Sequence, residues 1–328
     1  FIRRGGRHYE DAVYDSLGSL YLEKERYSDA AQTFRTFVEA NPRHRRAPAF
    51  QMRVIETYEQ GGFPSRVLQG KKDFVERYHL QADYWQHHDP LRSETVLGYL
   101  RETLTGLAGH YHAAAQRDHR PSDVDAAAHW YRTYIASFRD DASTPGMHFL
   151  LAELLFDAKR FDEAAVAYRE TAYGYPVHPK SADAGYASVL ADVELGSRLQ
   201  GEARQAWHRD AIEHALRFAT TFPAHEQATA VLVRSGEQLL ALGELQRAAD
   251  IARHALDSGN ASPEQQRVAW TVLAHARFDL QDYLLAEQAY TQVLQFAGTD
   301  PQDTEAFTEK LAAAISTQGE AAYRAGDT

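Results

Sequence analysis

His87-His88-Asp89 and the pair His110 and His112 are where metal-ligating side chains crowd together in a chain that holds 16 histidines. A structural zinc site needs four ligands, and two ligands supplied by one helix must share a face. His110 and His112 stand two apart in a stretch expected to be helical, so they point to different faces. His87-His88-Asp89 falls in an expected loop with no evident third donor, and no His-Glu-x-x-His occurs. His87 and His88 read as solvated loop histidines near a bend, and no metal is expected. A cysteine count of zero removes disulfides, thiolate zinc sites, iron–sulfur clusters and cysteine nucleophiles together.

Phosphate chemistry fares no better. Gly70-Lys71-Lys72-Asp73 lacks the upstream glycine and the Ser or Thr of a phosphate loop, and no Gly-x-Gly-x-x-Gly is present, so no nucleotide cofactor is expected. Gly-x-Ser-x-Gly is absent, and no carboxylate pair stands out from a generally acidic surface. The chain reads as non-catalytic. Arg43-His44-Arg45-Arg46 is the one compact basic run, echoed by Arg3, Arg4 and Arg7. It reads as solvent-facing surface, with a patch for an acidic protein or lipid head groups as the alternative. Lys and Arg number 35 against 46 Asp and Glu, a net charge of −11 that argues against binding nucleic acid through phosphate neutralisation. The longest apolar stretch, Phe149 to Phe156, is broken by Glu153 and falls far short of the ~20 residues a membrane span needs.

What remains is a chain built to fold and to bind. Hydrophobic residues make up 44% and aromatics 11%, enough for a real core. Strand signals are sparse, whereas a spaced pattern recurs. Tyr14-x2-Leu17-Gly18-x2-Tyr21 is followed by Tyr27, Ala30, Phe34, Phe37 and Pro42. The frame returns as His148, Leu151, Ala152, Phe161, Ala164, Tyr168 and Pro176. It returns again as Leu232, Gly236, Leu239, Leu245, Ala248, Ala252 and Ala255, and as Trp270, Leu273, Ala274, Tyr283, Ala286, Tyr290 and Val293. Small residues at these sites allow two short antiparallel helices to approach closely, with bulky neighbours filling the grooves. Tyr27-Ser28-Asp29, Phe161-Asp162-Glu163 and Gln281-Asp282-Tyr283 place polar residues where the second helix starts, and Pro42, Pro176 and Pro223 follow where it stops.

Between the regular windows the spacing stretches. Ala30 and Ala164 are 134 residues apart, about thirty more than three periods of ~34. The intervening helices are expected over Ala47 to Gln60, Ser65 to Tyr78 after a Gly61-Gly62-Phe63-Pro64 break, about Arg92 to Arg117, and from Pro121 through Ala127, Tyr131 and Tyr134. Leu80 to Pro90 reads as a bend. Ala164 to Ala248 is also over-long, and the excess is assigned to Gly196 to Arg204, as a loop or a helix extension between Ser181 to Leu195 and Glu202 to Thr221. A further unit opens near Thr304 and reaches a turn at Gly326-Asp327 without a second helix, and the start at Phe1 lacks Met. Both ends suggest a piece of a longer protein. Three regions are expected: 1–78 with the N-terminal repeats, 79–142 an irregular extended repeat with a bend, and 143–328 with the C-terminal repeats, ending mid-repeat.

The order of large, small and aromatic residues in these windows resembles the tetratricopeptide repeat (TPR) family. That resemblance implies an all-α, right-handed superhelical solenoid of antiparallel helix pairs, some of them irregular or extended. It also implies a concave groove, lined by the first helix of each pair, that binds peptides or other domains without cofactors. The implied groove residues are Leu22 and Glu23; Phe149, Glu153 and Phe156; Arg234 and Glu237; His275 and Phe278. Ser19, Leu240 and Thr271 join them. The lysine and arginine clamp for a terminal carboxylate used by chaperone-binding TPR domains is not visible at these positions. Tyr175-Pro176-x2-Pro179-Lys180-Ser181-Ala182-Asp183-Ala184 and Phe222-Pro223-Ala224-His225 look like junctions in bacterial cell-envelope TPR proteins, such as the lipoprotein of the outer-membrane β-barrel assembly machine and the Tol-Pal coordinator. The resulting expectation is a non-catalytic scaffold binding a partner protein or peptide in a bacterial envelope assembly, with periplasm or cell envelope favoured over cytoplasm and self-association allowed. A regulatory or substrate-recruiting region of a larger multidomain enzyme, or a self-assembling structural protein, are the alternatives.

Overall fold

The structure, a computed structural model, describes residues 9–296 and 301–325. Every regular element among them is helical. In chain order they are α1 (Glu10–Glu23), α2 (Tyr27–Ala40), α3 (Ala47–Gln60), α4 (Pro64–Tyr78), α5 (Glu94–Asp118), α6 (Pro121–Ser137), α7 (Thr144–Asp157), α8 (Phe161–Tyr173), α9 (Ser181–Arg198), α10 (Gly201–Thr221), α11 (Ala228–Ala241), α12 (Leu245–Asp257), α13 (Pro263–Asp279), α14 (Tyr283–Val293) and α15 (Pro301–Ala325). Contacts divide the chain into two compact units, Phe1–Arg160 and Phe161–Thr328. That cut falls between α7 and α8, whereas the expected boundaries at 78/79 and 142/143 follow repeat regularity. Within each unit every helix packs on the next in sequence.

Five helices end in the same way, and the ending sets the hairpin geometry. After α1, α3, α7, α11 and α13 one residue takes a left-handed conformation: Glu25, Gly62, Lys159, Gly243 and Gln281, with φ between 55° and 76°. The N–H of the next residue then reaches back to the last helical turn, Arg26 to Tyr21, Phe63 to Tyr58, Arg160 to Leu155, Glu244 to Leu239 and Asp282 to Arg277, each at 2.9 Å. This paired closure satisfies carbonyls that a helix end leaves without partners, and within each unit it reverses the chain within three residues. Side-chain capping is rarer. Asp282 accepts the Leu285 N–H at the start of α14, and Ser262 with Gln265 forms a reciprocal capping box at α13.

Close approach is then permitted by size. Ala30, Ala164, Ala248 and Ala286 are fully buried on α2, α8, α12 and α14. Gly18 on α1 sits under the Phe34 ring, leaving no room for a side chain. In the first unit the rings of Phe34, Phe37, Phe50 and Tyr58 fill the grooves, and each such ring contributes roughly 1.5–3 kcal/mol through burial. A second cluster around Phe74, Tyr78, Leu100 and Leu104 carries the core on to α5. The second unit relies on alanines, among them Ala252, Ala255, Ala269 and Ala276, around Leu232, Leu273 and Tyr290.

The stretched regions are helical too. Leu80 to Pro90 is a tethered connection containing short 3-10 turns at Asp83–Gln86 and Pro90–Arg92. Tyr84 there is buried, the Trp85 indole N–H donates to the Tyr78 carbonyl at 3.0 Å, and His88 stacks on Tyr84 at 4.3 Å. The over-long spacings become long helices: α5 has 25 residues and α6 has 17, and α9 has 18 and α10 has 21, where α1 and α2 have 14 each. The segment 196–204 is therefore mostly helix extension, with only Leu199 and Gln200 between α9 and α10. The turn expected at Gly326-Asp327 lies outside the described residues, as do Arg3, Arg4 and Arg7.

Candidate functional site

The extra turns of α9 and α10 run past their neighbour α11, and a cavity of about 350 Å³ lies beside the three helices. Gly196 and Ser197 from the end of α9, and Arg204 and Gln205 from the start of α10, line it together with Arg234 and Gln238 of α11. Trp207 forms an apolar wall. Its indole N–H donates to the Asp192 carbonyl at 3.0 Å, which fixes the ring, and Gly196 leaves space for it: a methyl there would come 3.2 Å from Trp207 Cδ1. Val193 and Ala211 complete the apolar lining.

Asp192 is the charged residue at the base, with a side chain only 1% exposed. Arg169 Nη1 of α8 donates to both its oxygens, at 2.9 and 3.1 Å, and His214 Nδ1 of α10 donates to Oδ2 at 2.8 Å. A buried carboxylate is tolerated only when paired and fully hydrogen-bonded. Three helices must keep their register for this to hold, so the triad fixes how α8, α9 and α10 meet. It also neutralises Asp192, whereas the side chains of Arg204 and Arg234 make no ion pair among the described residues. The cavity therefore presents two uncompensated guanidinium groups inside a chain of net charge −11.

The first unit treats its charges differently. Arg46 of the basic run pairs with Asp11 at 3.0 Å and Asp15 at 2.8 Å, its guanidinium lies over Phe50, and it holds the Asp11 carboxyl below the usual carboxylate range. Arg53 pairs with Asp15 and donates to Ser19 Oγ at 2.9 Å. Arg43 reaches Asp83 at 3.6 Å, and its carbonyl lies 2.9 Å from His88 Nε2. Arg46 is thus tied into the fold, while Arg43 and Arg45 stay on the exposed surface. A larger cleft, about 770 Å³, lies at the end of α5, the start of α6 and the end of α7. Ala115, Val124 and Leu154 line it, and its Asp125 and Arg160 pair with each other at 2.6 Å.

Two further histidines are enclosed. His112 Nδ1 lies 2.9 Å from the Tyr131 hydroxyl while its Nε2 is buried without a partner. Burial lowers the His112 pKa against the pull of Asp157 and Glu153, and pushes Tyr131 up to about 12. His275 Nδ1 lies 3.0 Å from the Tyr290 hydroxyl and 3.1 Å from Lys310 Nζ of α15. Burial, then Lys310, lowers its pKa, opposed by Asp279. Among the described residues no three His, Asp or Glu side chains converge on a common point that could hold a metal.

The expected groove residues scatter. Leu22 is half-buried against the Phe34 cluster and Glu23 is exposed. Phe149, Glu153 and Phe156 on α7 are half-buried. Arg234 and Glu237 are exposed on α11, and Arg234 lines the cavity. His275 and Phe278 lie beneath the start of α15: Phe307 and Lys310 pack on His275, and Lys310 Nζ stands 5.5 Å from the Phe278 ring. Arg204, Trp207 and Gln238 are not among the expected residues. The over-long spacing between Ala164 and Ala248 and one of only four tryptophans mark this stretch in the sequence.

Among solved structures, the chain is similar to a thermophilic TPR protein of Thermus thermophilus, at 16% identity over 63% of this chain and 98% of that one, with a TM-score of 0.30. It is similar to the C-terminal part of a TPR repeat-containing protein of Cytophaga hutchinsonii, at 11% identity over 90% and 98%, with a TM-score of 0.37. The TPR2AB domain of yeast Sti1 in its pHSP90 complex matches at 13% identity over 94% and 100%, with a TM-score of 0.35. No curated protein sequence matches the chain. No helix among the described residues is long and apolar enough to cross a membrane. Residues 12–44, which span α1, α2 and their closing turn, match the tetratricopeptide repeat family model.

Proposed function

We propose that the chain is a non-catalytic protein-interaction scaffold, taking a partner protein or peptide on the faces of the first helices of its hairpins. The observation that carries this reading is the placement of Arg234. Counted from the repeat pattern as a groove position, it lines a walled cavity formed with α9 and α10. Glu237 is exposed on the same helix and extends that surface, and in the first unit Glu23 is exposed on α1. In the first unit Leu22, Phe149, Glu153 and Phe156 are half-buried on first helices, and in the second His275 and Phe278 are half-buried against α15. A bacterial envelope assembly as the setting rests on the Tyr175-Pro176 and Phe222-Pro223 junctions alone.

The test is affinity capture from a bacterial lysate with the intact chain, compared with Glu23→Lys, Arg234→Glu and Glu237→Lys variants. All three positions are exposed, so helicity by circular dichroism should be unchanged. Proteins retained by the parent chain and lost from the charge-reversed variants support the reading. An identical captured set from parent and variants contradicts it.

A further inference from the structure

We infer that the α9–α10–α11 cavity is a receptor for an acidic peptide segment in which an aliphatic residue lies between carboxylates. The inference rests on the scaffold reading and names the partner chemistry of its site. Charge is the first argument. Of the titratable side chains lining the cavity, Asp192 is already paired with Arg169 and His214, His208 lies on α10 between Arg204 and Ala211, and Arg204 and Arg234 are exposed with no ion-pair partner among the described residues. Two guanidinium groups without an internal counter-charge are matched by carboxylates, which they bind through charge-assisted hydrogen bonds.

Shape supplies the second argument. Trp207, locked by its bond to the Asp192 carbonyl, gives a fixed apolar wall continued by Val193 and Ala211. A rigid aromatic loses little freedom when covered, which suits it to anchor an aliphatic side chain. Gln238 offers both a donor and an acceptor for a peptide backbone on the α11 side. About 350 Å³ admits one or two side chains and no folded domain, so the occupant is a segment with its carboxylates at the rim. Nucleic acid would need a continuous basic track, and the chain's charge of −11 does not provide one.

The experiment is fluorescence anisotropy of the full chain with three labelled dodecapeptides, built from Glu-Glu-Leu-Gly, Gln-Gln-Leu-Gly and Lys-Lys-Leu-Gly repeats. The glutamate peptide should bind, weaken on raising salt, and lose at least about tenfold in affinity with Arg204→Ala or Arg234→Ala. Arg204→Lys and Arg234→Lys should recover part of that loss, and Arg209→Ala, on the same helix but outside the cavity lining, should leave binding unchanged. Unfolding curves for each variant separate lost binding from lost structure. Equal binding of the glutamine peptide, tighter binding of the lysine peptide, no binding of any of the three, or a double alanine variant with undiminished affinity would each overturn the inference. So would a single-stranded oligothymidylate that competes for the site more strongly than the glutamate peptide. If the charge-reversed variants lose lysate proteins while the glutamate peptide fails to bind, the scaffold reading survives and the acidic-segment inference falls.

Discussion

The hairpin α11–α12 and the hairpin α9–α10 lie side by side in the second unit, and they solve the same packing problem differently. In the first, Ala248 and Ala252 let helices of 14 and 13 residues pack through a three-residue left-handed turn, and its buried positions are almost all apolar. In the second, helices of 18 and 21 residues overhang their neighbour, bury an aspartate and leave a cavity. The first unit repeats the contrast: its larger cleft lies at the ends of α5, α6 and α7, two of which are extended, rather than at the regular α1–α2 pair. The 350 and 770 Å³ cavities both lie where the period is broken, although the regular stretch α12–α14 also leaves a space of about 480 Å³ beside Trp270 and Leu285.

The contrast can be broken most severely at its polar end. Arg169→Met leaves the Asp192 carboxylate buried with His214 as its remaining partner, and should cost about 3 kcal/mol, read as a lowered urea midpoint. Asp192→Asn turns one accepting oxygen into a donor facing Arg169 or His214, and should also destabilise, by losing one of these bonds. At the close-packed end, Gly18→Ala drives a methyl into the Phe34 ring, which is itself held against Phe50 and under the Arg53 guanidinium at 4.0 Å. That should destabilise by about 1–3 kcal/mol. Gly236→Ala meets Val272 only at an ordinary 3.6 Å, so the helix-propensity gain of up to ~1 kcal/mol should show.

Acid sharpens the comparison between the two enclosed histidines and the rest. His112 and His275 both have pKa values lowered in the folded state from 6.5, so the unfolded chain takes up protons first. Their contribution to stability is present above pH ~6.5 and declines as pH falls from there through the depressed folded values. The melting temperature should drop across that window, and His112→Gln should flatten the drop. The smallest effect concerns the turns. Glu25→Gly and Gln281→Gly relieve a left-handed side chain and should each raise stability by about 0.5 kcal/mol, whereas Gly243→Ala should lower it.

Much of this architecture is legible in the sequence because size at a fixed spacing is a strong constraint. Ala30, Ala164, Ala248 and Ala286 are read directly as contact points, and the helix Ala47–Gln60 ends at the Gly61-Gly62-Phe63-Pro64 break as expected. The cavity is not legible. The excess at Gly196 to Arg204 reads equally as a loop or a helix extension, and only Leu199 and Gln200 leave the helix, with Gly201 opening α10 at φ 57°. Nothing local to Asp192, Arg169 or His214 says that three helices will bring them together. Counting outward from a helix core also gives a face without saying what covers it, which is why His275 and Phe278 meet α15.

Amide hydrogen exchange on the full chain, with and without the Glu-Glu-Leu-Gly peptide, addresses the central claim most directly. Slowed exchange should concentrate in residues 192–211 and 230–240, where the overhanging turns face α11. Slowing confined to the second helices α12 and α14, or none in the α9–α10 overhang, would show that the extended hairpin is not where this molecule receives its partner.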